Sequence, residues 1–203
     1  MHYIVIEGNI GVGKTSLAKK LANDLNALLI LEEFENNPFL PKFYENPKRW
    51  AFACELSFLS DRYNQLKNTL LQPSVFHNIV ISDYFFAKSI IFSKETLDSD
   101  EFNLFYKLFN IIYSFVPLPS LFVYLYAPAE KLKMNIIKRG RTYEQNISID
   151  YLEKIEKSYQ EFIQLNKDCF KIIQIDVQDI DFVNNEKDFL FIKKTILDNL
   201  KLF

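Results

Sequence analysis

Tyr3-Ile4-Val5-Ile6-Glu7-Gly8-Asn9-Ile10-Gly11-Val12-Gly13-Lys14-Thr15-Ser16 decides how the rest of this 203-residue chain is read. Tyr3 to Ile6 is a short apolar run of the kind a buried strand presents. Gly8 to Thr15 then fits G-x-x-x-x-G-K-[ST] as a helical pattern begins at about Lys14. Strand, loop and helix follow in the order a phosphate-binding loop requires. In such a loop successive backbone N–H groups wrap the phosphates of a nucleotide, and the helix N-terminus adds its positive end. Gly8, Asn9, Ile10, Gly11, Val12, Gly13, Lys14, Thr15 and Ser16 are therefore expected to hold nucleotide phosphates. Lys14 should reach the β- and γ-phosphates, and Thr15 should ligate Mg2+. A chance match to the pattern turns up in roughly one chain of this length per hundred or two. Glycine usage argues against chance here, since three of the 4 glycines in the chain sit in this loop and the other is Gly140.

Working outward, the length suits one domain able to bury a core without disulfides. Apolar residues at 49%, with 20 Phe and 11 Tyr, exclude disorder, and no apolar run approaches the roughly eighteen residues of a membrane span. The first strand begins at residue 3, leaving no room for a targeting segment, so a globular cytoplasmic protein is expected. Cys54 and Cys169 stand far apart, and His2 and His77 have no ligand-spaced partners, so neither a disulfide framework nor a zinc site is supported. A net charge of −2 and a pI near 5.8 argue against a nucleic-acid polymer as partner. No internal repeat is visible.

Four further apolar runs read as strands: Ala27 to Leu31, Asn78 to Asp83, Leu121 to Tyr126 and Lys171 to Asp176. Helical spacing lies between them: from Lys14, from Pro47 to about Leu71 with a stop at Pro73, over Tyr84–Lys94 and Glu101–Phe115, from Pro128 to Arg139, over Ile149–Leu165, and from about Phe189 to Leu200. The alternation predicts an α/β fold: a doubly wound five-stranded parallel sheet flanked by helices, of the P-loop NTPase type. In such sheets the C-terminal strand ends line the ligand crevice. Glu32 and Glu33 close the second strand, and Asp83 closes the third in a Walker-B-like way, where it can hold Mg2+ through water or cap a helix. Glu55 lies close to the apolar stripe of the Pro47 helix and is expected to be half-buried, needing a partner. The basic run Lys138-Arg139-Gly140-Arg141 can complement a helix dipole or close over a nucleotide as a mobile segment.

A signalling GTPase would need an Asp-x-x-Gly switch, which the glycine inventory forbids, and an Asn-Lys-x-Asp base reader, which no segment supplies. A purely regulatory nucleotide-binding module would have no use for crevice acids beside a basic lid.

From Ile4 to about Phe182 the chain resembles the deoxyribonucleoside kinase family, in particular its bacterial deoxyguanosine and deoxyadenosine kinase branch. Beyond the phosphate loop, the likeness is carried by Glu32 six residues before Pro38 and by Tyr44-Glu45-Asn46-Pro47-Lys48-Arg49-Trp50. It continues through Arg139-Gly140-Arg141-Thr142-Tyr143-Glu144-Gln145 and Tyr151-Leu152-Glu153-Lys154. The resemblance implies one kinase domain over 1–203 with a lid at about 138–148, phosphate-clamping Arg139 and Arg141, and Glu32 as general base. Tyr44 and Glu144 would take the sugar 3′-hydroxyl, and Asp176 and Val177 would belong to the loop around the donor adenine. ATP with Mg2+ would be the donor, a deoxyribonucleoside the acceptor, and the assembly a homodimer. Many relatives have Asp/Glu-Arg-Ser after the third strand where this chain has Asp83-Tyr84-Phe85, and Lys88, one helical turn on, is the candidate substitute for the missing Arg.

Register on the Pro47 helix puts Glu55 where adenosine-type relatives read the base with Gln. Two carboxylate oxygens suit the two adjacent donors of guanine, so 5′-phosphorylation of deoxyguanosine is the expected activity. Glu55 pairing with Arg62 or a neighbour purely for its own satisfaction is the structural alternative. A deoxyadenosine/deoxycytidine kinase of the same family, or a monophosphate kinase such as thymidylate kinase, is the functional one. The last would need basic residues over an acceptor phosphate, where this chain offers acids.

Overall fold

A computed structural model of the chain describes residues 1–34, 37–70 and 77–200. Five strands, β1 (His2–Gly8), β2 (Leu28–Ile30), β3 (Ile79–Ser82), β4 (Leu121–Tyr126) and β5 (Ile172–Asp176), form one sheet in the order β2-β3-β1-β4-β5. Every pairing is parallel, with Ile4 facing Ile81 on one side and Leu121 on the other. The chain passes to β2 and β3 on one side of β1, then to β4 and β5 on the other. The order therefore reverses at β1, and the crevice opens beyond its C-terminal end, where the glycine loop lies.

Helices α1 (Lys14–Leu25), α6 (Ala129–Arg139) and α8 (Glu186–Leu200) pack on one face, around Ile4, Ile6, Leu17, Leu132, Ile136 and Ile192. The other face receives α3 (Pro47–Leu70), α4 (Lys88–Thr96), α5 (Ser99–Tyr113) and α7 (Ile149–Asn166), around Tyr3, Val5, Leu59, Phe85, Phe105 and Tyr159. Alternate residues of β1 thus feed opposite cores, which is why the strand reads as a continuous apolar run. A short α2 (Leu40–Glu45) sits against α3.

The expected strands and the α/β class are observed. Several element bounds shift by a few residues, most clearly in two helices. Tyr84–Ala87 is not helical, and α4 begins only at Lys88. The buried Glu7 carboxylate accepts the Phe85 N–H at 2.7 Å, and Ser82 Oγ donates to the Tyr84 carbonyl at 2.6 Å, so this backbone is committed outside a helix. The second helix of that pair runs over Ser99–Tyr113, capped by Asp98, rather than to Phe115. The expected end of α3 at Leu71 and its stop at Pro73 lie outside the described residues.

Candidate active site

The loop between β1 and α1 has the conformation its glycines permit. Gly8 (φ 149°) lies so close to β4 that a Cβ would stand 2.3 Å from the Leu125 carbonyl oxygen. Gly13 (φ 100°) caps α1, and a Cβ there would meet the Phe182 ring at 2.7 Å. Asn9 is fully buried; its amide donates to the Leu152 carbonyl at 2.7 Å and its Oδ1 accepts the Ile10 N–H at 2.8 Å, which ties the loop to α7. Lys14 Nζ curls back onto the carbonyls of Gly8 (2.8 Å) and Asn9 (3.0 Å). Desolvation and the nearby Lys88 lower the Lys14 ammonium to about 8, against the pull of Glu7, Glu32 and Asp83.

Two cavities meet at this loop. One is lined by Glu32, Tyr44, Glu55, Asp83, Lys88 and Glu144 among others, the second by Gly11 to Ser16, Val177 and residues 180–184. Lys14, Thr15, Arg139 and Arg141 line both. We refer to the first as the inner cavity and to the second as the outer one.

Glu32, at the exit of β2, lies in the inner cavity between two buried cations. Arg62 gives Nε (2.9 Å) and Nη2 (2.6 Å) to Oε1, and Lys88 Nζ donates to Oε2. Burial pushes the carboxyl up, but Lys88 and Arg62 overcome it and hold the group at about 2. Arg62 is fixed in turn by Ser89 on α4, through Nη1 at 2.7 Å. Glu33 is outside this arrangement, facing Gln65 at 3.2 Å.

Asp83 does not cap a helix. Its Oδ1 accepts the Glu32 N–H at 2.8 Å and its Oδ2 accepts the Thr15 hydroxyl at 2.5 Å. A hydroxyl and a carboxylate oxygen brought together beside the phosphate loop are hard donors that fit Mg2+. Among the described residues no group of three or more His, Cys, Asp and Glu side chains forms a metal cluster, so a cation here would share its shell with water and phosphate.

The basic segment after α6 converges on one carboxylate. Glu144, buried in a 3-10 turn over Thr142–Glu144, receives Arg139 on one oxygen and Arg141 on the other (3.2 Å). Arg141 also lies over the Phe34 ring, 3.8 Å from its centroid, and Tyr143 stacks on Tyr44 at 5.8 Å. Burial raises the Tyr44 hydroxyl far above its ordinary range, with Glu144 adding to it.

Glu55 proves buried rather than half-buried, at 5% exposure, and its hydrogen bond comes from Thr96 Oγ1 (3.0 Å) rather than from Arg62. Asp176 is not brought into the outer cavity with Val177: it is exposed and accepts the Gln178 N–H at 2.9 Å. Sequence reasoning passed over Glu7, whose carboxylate binds the N–H groups of Gly8 and Phe85 and the Tyr159 hydroxyl (2.8 Å). It also passed over Ser89, Thr96 and Phe182. Arg62 alone left a signal, standing two helical turns after Glu55 on α3.

A nucleotide-type loop, a buried carboxylate and two arginines shared by two joined cavities define a phosphoryl-transfer enzyme of the P-loop type. Residues 4–200 match the family model described as deoxynucleoside kinase. The deoxyguanosine kinase of Bacillus subtilis (strain 168) is 35% identical over 190 residues, covering 92% of each chain. The deoxyadenosine kinase of Dictyostelium discoideum is 33% identical over 164 residues, 80% of this chain and 66% of that one. Among solved structures, deoxyadenosine kinase from M. mycoides superposes with a TM-score of 0.83 at 25% identity, covering 97% of this chain and 99% of that one. The chain belongs to the deoxynucleoside kinase family, and its activity is that of a deoxynucleoside kinase.

Proposed function

We propose that this kinase transfers the γ-phosphoryl group of ATP to the 5′-hydroxyl of a purine deoxyribonucleoside, with deoxyguanosine preferred. The observation that carries the reading is the meeting of the two cavities at Lys14, Thr15, Arg139 and Arg141, with the Glu32 carboxylate on the inner side. The outer cavity takes ATP, its adenine toward Val177 and residues 180–184. The inner cavity takes the nucleoside. Glu32 accepts the 5′-hydroxyl proton, while Lys14, Arg139 and Arg141 stabilise charge on the group passing in line between the two oxygens. Mg2+, held by Thr15 and through water by Asp83, neutralises charge on the β- and γ-phosphates when bound. Lys88 supplies the cation that relatives draw from the Arg absent at Tyr84. Tyr44 and Glu144 locate the sugar, and the 138–148 segment is the lid of a single domain.

The names of the relatives include both purines, so the base preference is argued from Glu55. Its two oxygens match the N1–H and 2-amino donors of guanine. We also propose a homodimer, supported by exposed Tyr106 and Leu165 around a groove between α4, α5 and α7, and checked by sedimentation. Among the described residues no helix is long and apolar enough to cross a membrane. A cytoplasmic location is part of the proposal and is checked by cell fractionation.

Phosphorylation of each of the four deoxynucleosides by radiolabelled ATP tests the assignment. Deoxyguanosine should show the highest kcat/KM. A leading pyrimidine overturns the base assignment, and no 5′-monophosphate from any nucleoside overturns the whole reading.

A further inference from the structure

Glu55, among the side chains lining the proposed nucleoside cavity, is a carboxyl group, where an amide would have one fixed pattern of donor and acceptor. Glu55 is buried on α3, and among the described residues no cation is hydrogen-bonded to it: Arg62 and Lys88 are both committed to Glu32, and Arg62 to Ser89 as well. The other ionisable groups lining this cavity are Cys54 on α3, Tyr44 on α2, Tyr151 on α7 and Glu144 in the 3-10 turn, with Lys14, Asp83, Arg139 and Arg141 on the side of the phosphate loop. Glu95, next to Thr96 on α4, is turned to Ser158. Desolvation dominates and raises Glu55 to about 7, against Arg62, the Thr96 hydrogen bond and Lys88, with Glu32 adding to the rise.

The Thr96 hydroxyl makes either protonation state structurally acceptable. Its oxygen lies 3.0 Å from Glu55 Oε1 and 3.1 Å from the Phe92 carbonyl oxygen. With Glu55 ionised, the hydroxyl donates to the carboxylate. With Glu55 protonated, the acid proton can be given to Oγ1, and the hydroxyl proton turns to Phe92. Neither state leaves a buried polar atom without a partner.

We propose that Glu55 reads the base in both protonation states: as a carboxylate it accepts from the N1–H and 2-amino groups of guanine, and as a carboxylic acid it donates to N1 and accepts from the 6-amino group of adenine. This deepens the assignment of Glu55 as base reader and rests on it. Binding deoxyadenosine then takes up a proton from solvent that binding deoxyguanosine does not. The preference for deoxyguanosine over deoxyadenosine rises with pH, by up to about tenfold per unit, because ionisations common to both substrates cancel in the ratio.

The test is the ratio of kcat/KM for the two nucleosides between about pH 6 and about pH 9 in the wild type and in Glu55→Gln. The wild-type ratio should climb tenfold or more, and the variant's should be flat and shifted toward deoxyadenosine. A flat wild-type ratio beside a shifted variant overturns the two-state reading and keeps Glu55 as base reader. A variant ratio equal to the wild type's at every pH overturns both. Should Glu55→Gln fail to fold, calorimetry of wild-type enzyme in two buffers of different ionisation enthalpy measures proton uptake directly. Greater uptake with deoxyadenosine above neutral pH supports the proposal, and equal uptake overturns it.

Discussion

Lys88 reaches the Glu32 oxygen that Arg62 leaves open, so the carboxylate assigned as general base is clamped at both ends by buried cations. A base held this far down is ionised throughout the physiological range. It can accept a proton only as the acceptor oxygen loses its own in the transition state, and the same two cations then lie beside the reacting centre.

For Lys88→Met we therefore expect kcat to fall by roughly two orders of magnitude, the usual consequence of losing one preorganised donor. The acidic limb should move too. With Lys88 gone, Glu32 rises from about 2, so activity is lost at a higher pH on acidification than in the wild type. Lys88→Arg should keep the wild-type limb. A pH–rate profile of the three enzymes decides, and an unmoved limb in Lys88→Met would detach Lys88 from the base.

Glu32→Gln should lower kcat by roughly two to four orders of magnitude with little change in nucleoside KM. It also leaves Arg62 and Lys88 facing one another in a buried site, so Tm should drop. Glu32 is depressed in the folded state, so its stabilising contribution is present above the unfolded carboxylate value, about 4.3, and is lost as pH falls toward 2. Acid denaturation should accordingly be shallower in the Gln variant. Glu33→Gln should have a much smaller effect on kcat, because Glu33 faces Gln65 and stands outside the Arg62–Glu32–Lys88 cluster.

The sheet and the glycine loop were legible because their information is local: apolar runs of strand length, and a motif whose residues are consecutive. Tyr84–Ala87 misled for the same reason. The apolar run contains no helix breaker, and what holds it outside a helix is the Glu7 carboxylate on the neighbouring strand, 78 positions upstream of Phe85. The clamp on Glu32 was equally hidden. Arg62, Lys88 and Ser89 come together only because α3 packs along α4, and nothing in either helix alone announces the partner. Glu55 was found through register, but its burial and its Thr96 partner depend on that same helix pair.

Lys14 predicts an alkaline limb. Its ammonium is lowered to about 8, so the free enzyme loses that charge as pH rises through this value, and kcat/KM for ATP should fall by up to about tenfold per unit above it. Lys14→Ala should abolish transfer while leaving the circular dichroism spectrum unchanged, since among the described residues the side chain hydrogen-bonds to loop carbonyls and ties no helix or strand in place. Wild-type-like turnover by that variant would be incompatible with a kinase using this loop.

Glu144 ties Arg139 and Arg141 together, and its dual contact gives a prediction that single substitutions cannot. If the buried carboxylate acts by aiming Arg139 and Arg141 at the transferring phosphoryl group, then Arg139→Ala and Glu144→Gln lower kcat through one shared route. The Arg139→Ala/Glu144→Gln double variant should then be little worse than the poorer single variant, a non-additivity of about 1 kcal/mol or more in transition-state free energy. If Glu144 instead serves only the sugar hydroxyl, its loss appears in nucleoside KM and the kcat effects add. Arg139→Lys adds a geometric check, because an ammonium keeps the charge but not the planar fork that lets one guanidinium face both a carboxylate and a phosphate. It should recover no more than a small part of the lost kcat. Steady-state kcat and KM for the wild type and these four variants settle the matter, and full recovery by Arg139→Lys would reduce Arg139 to a point charge.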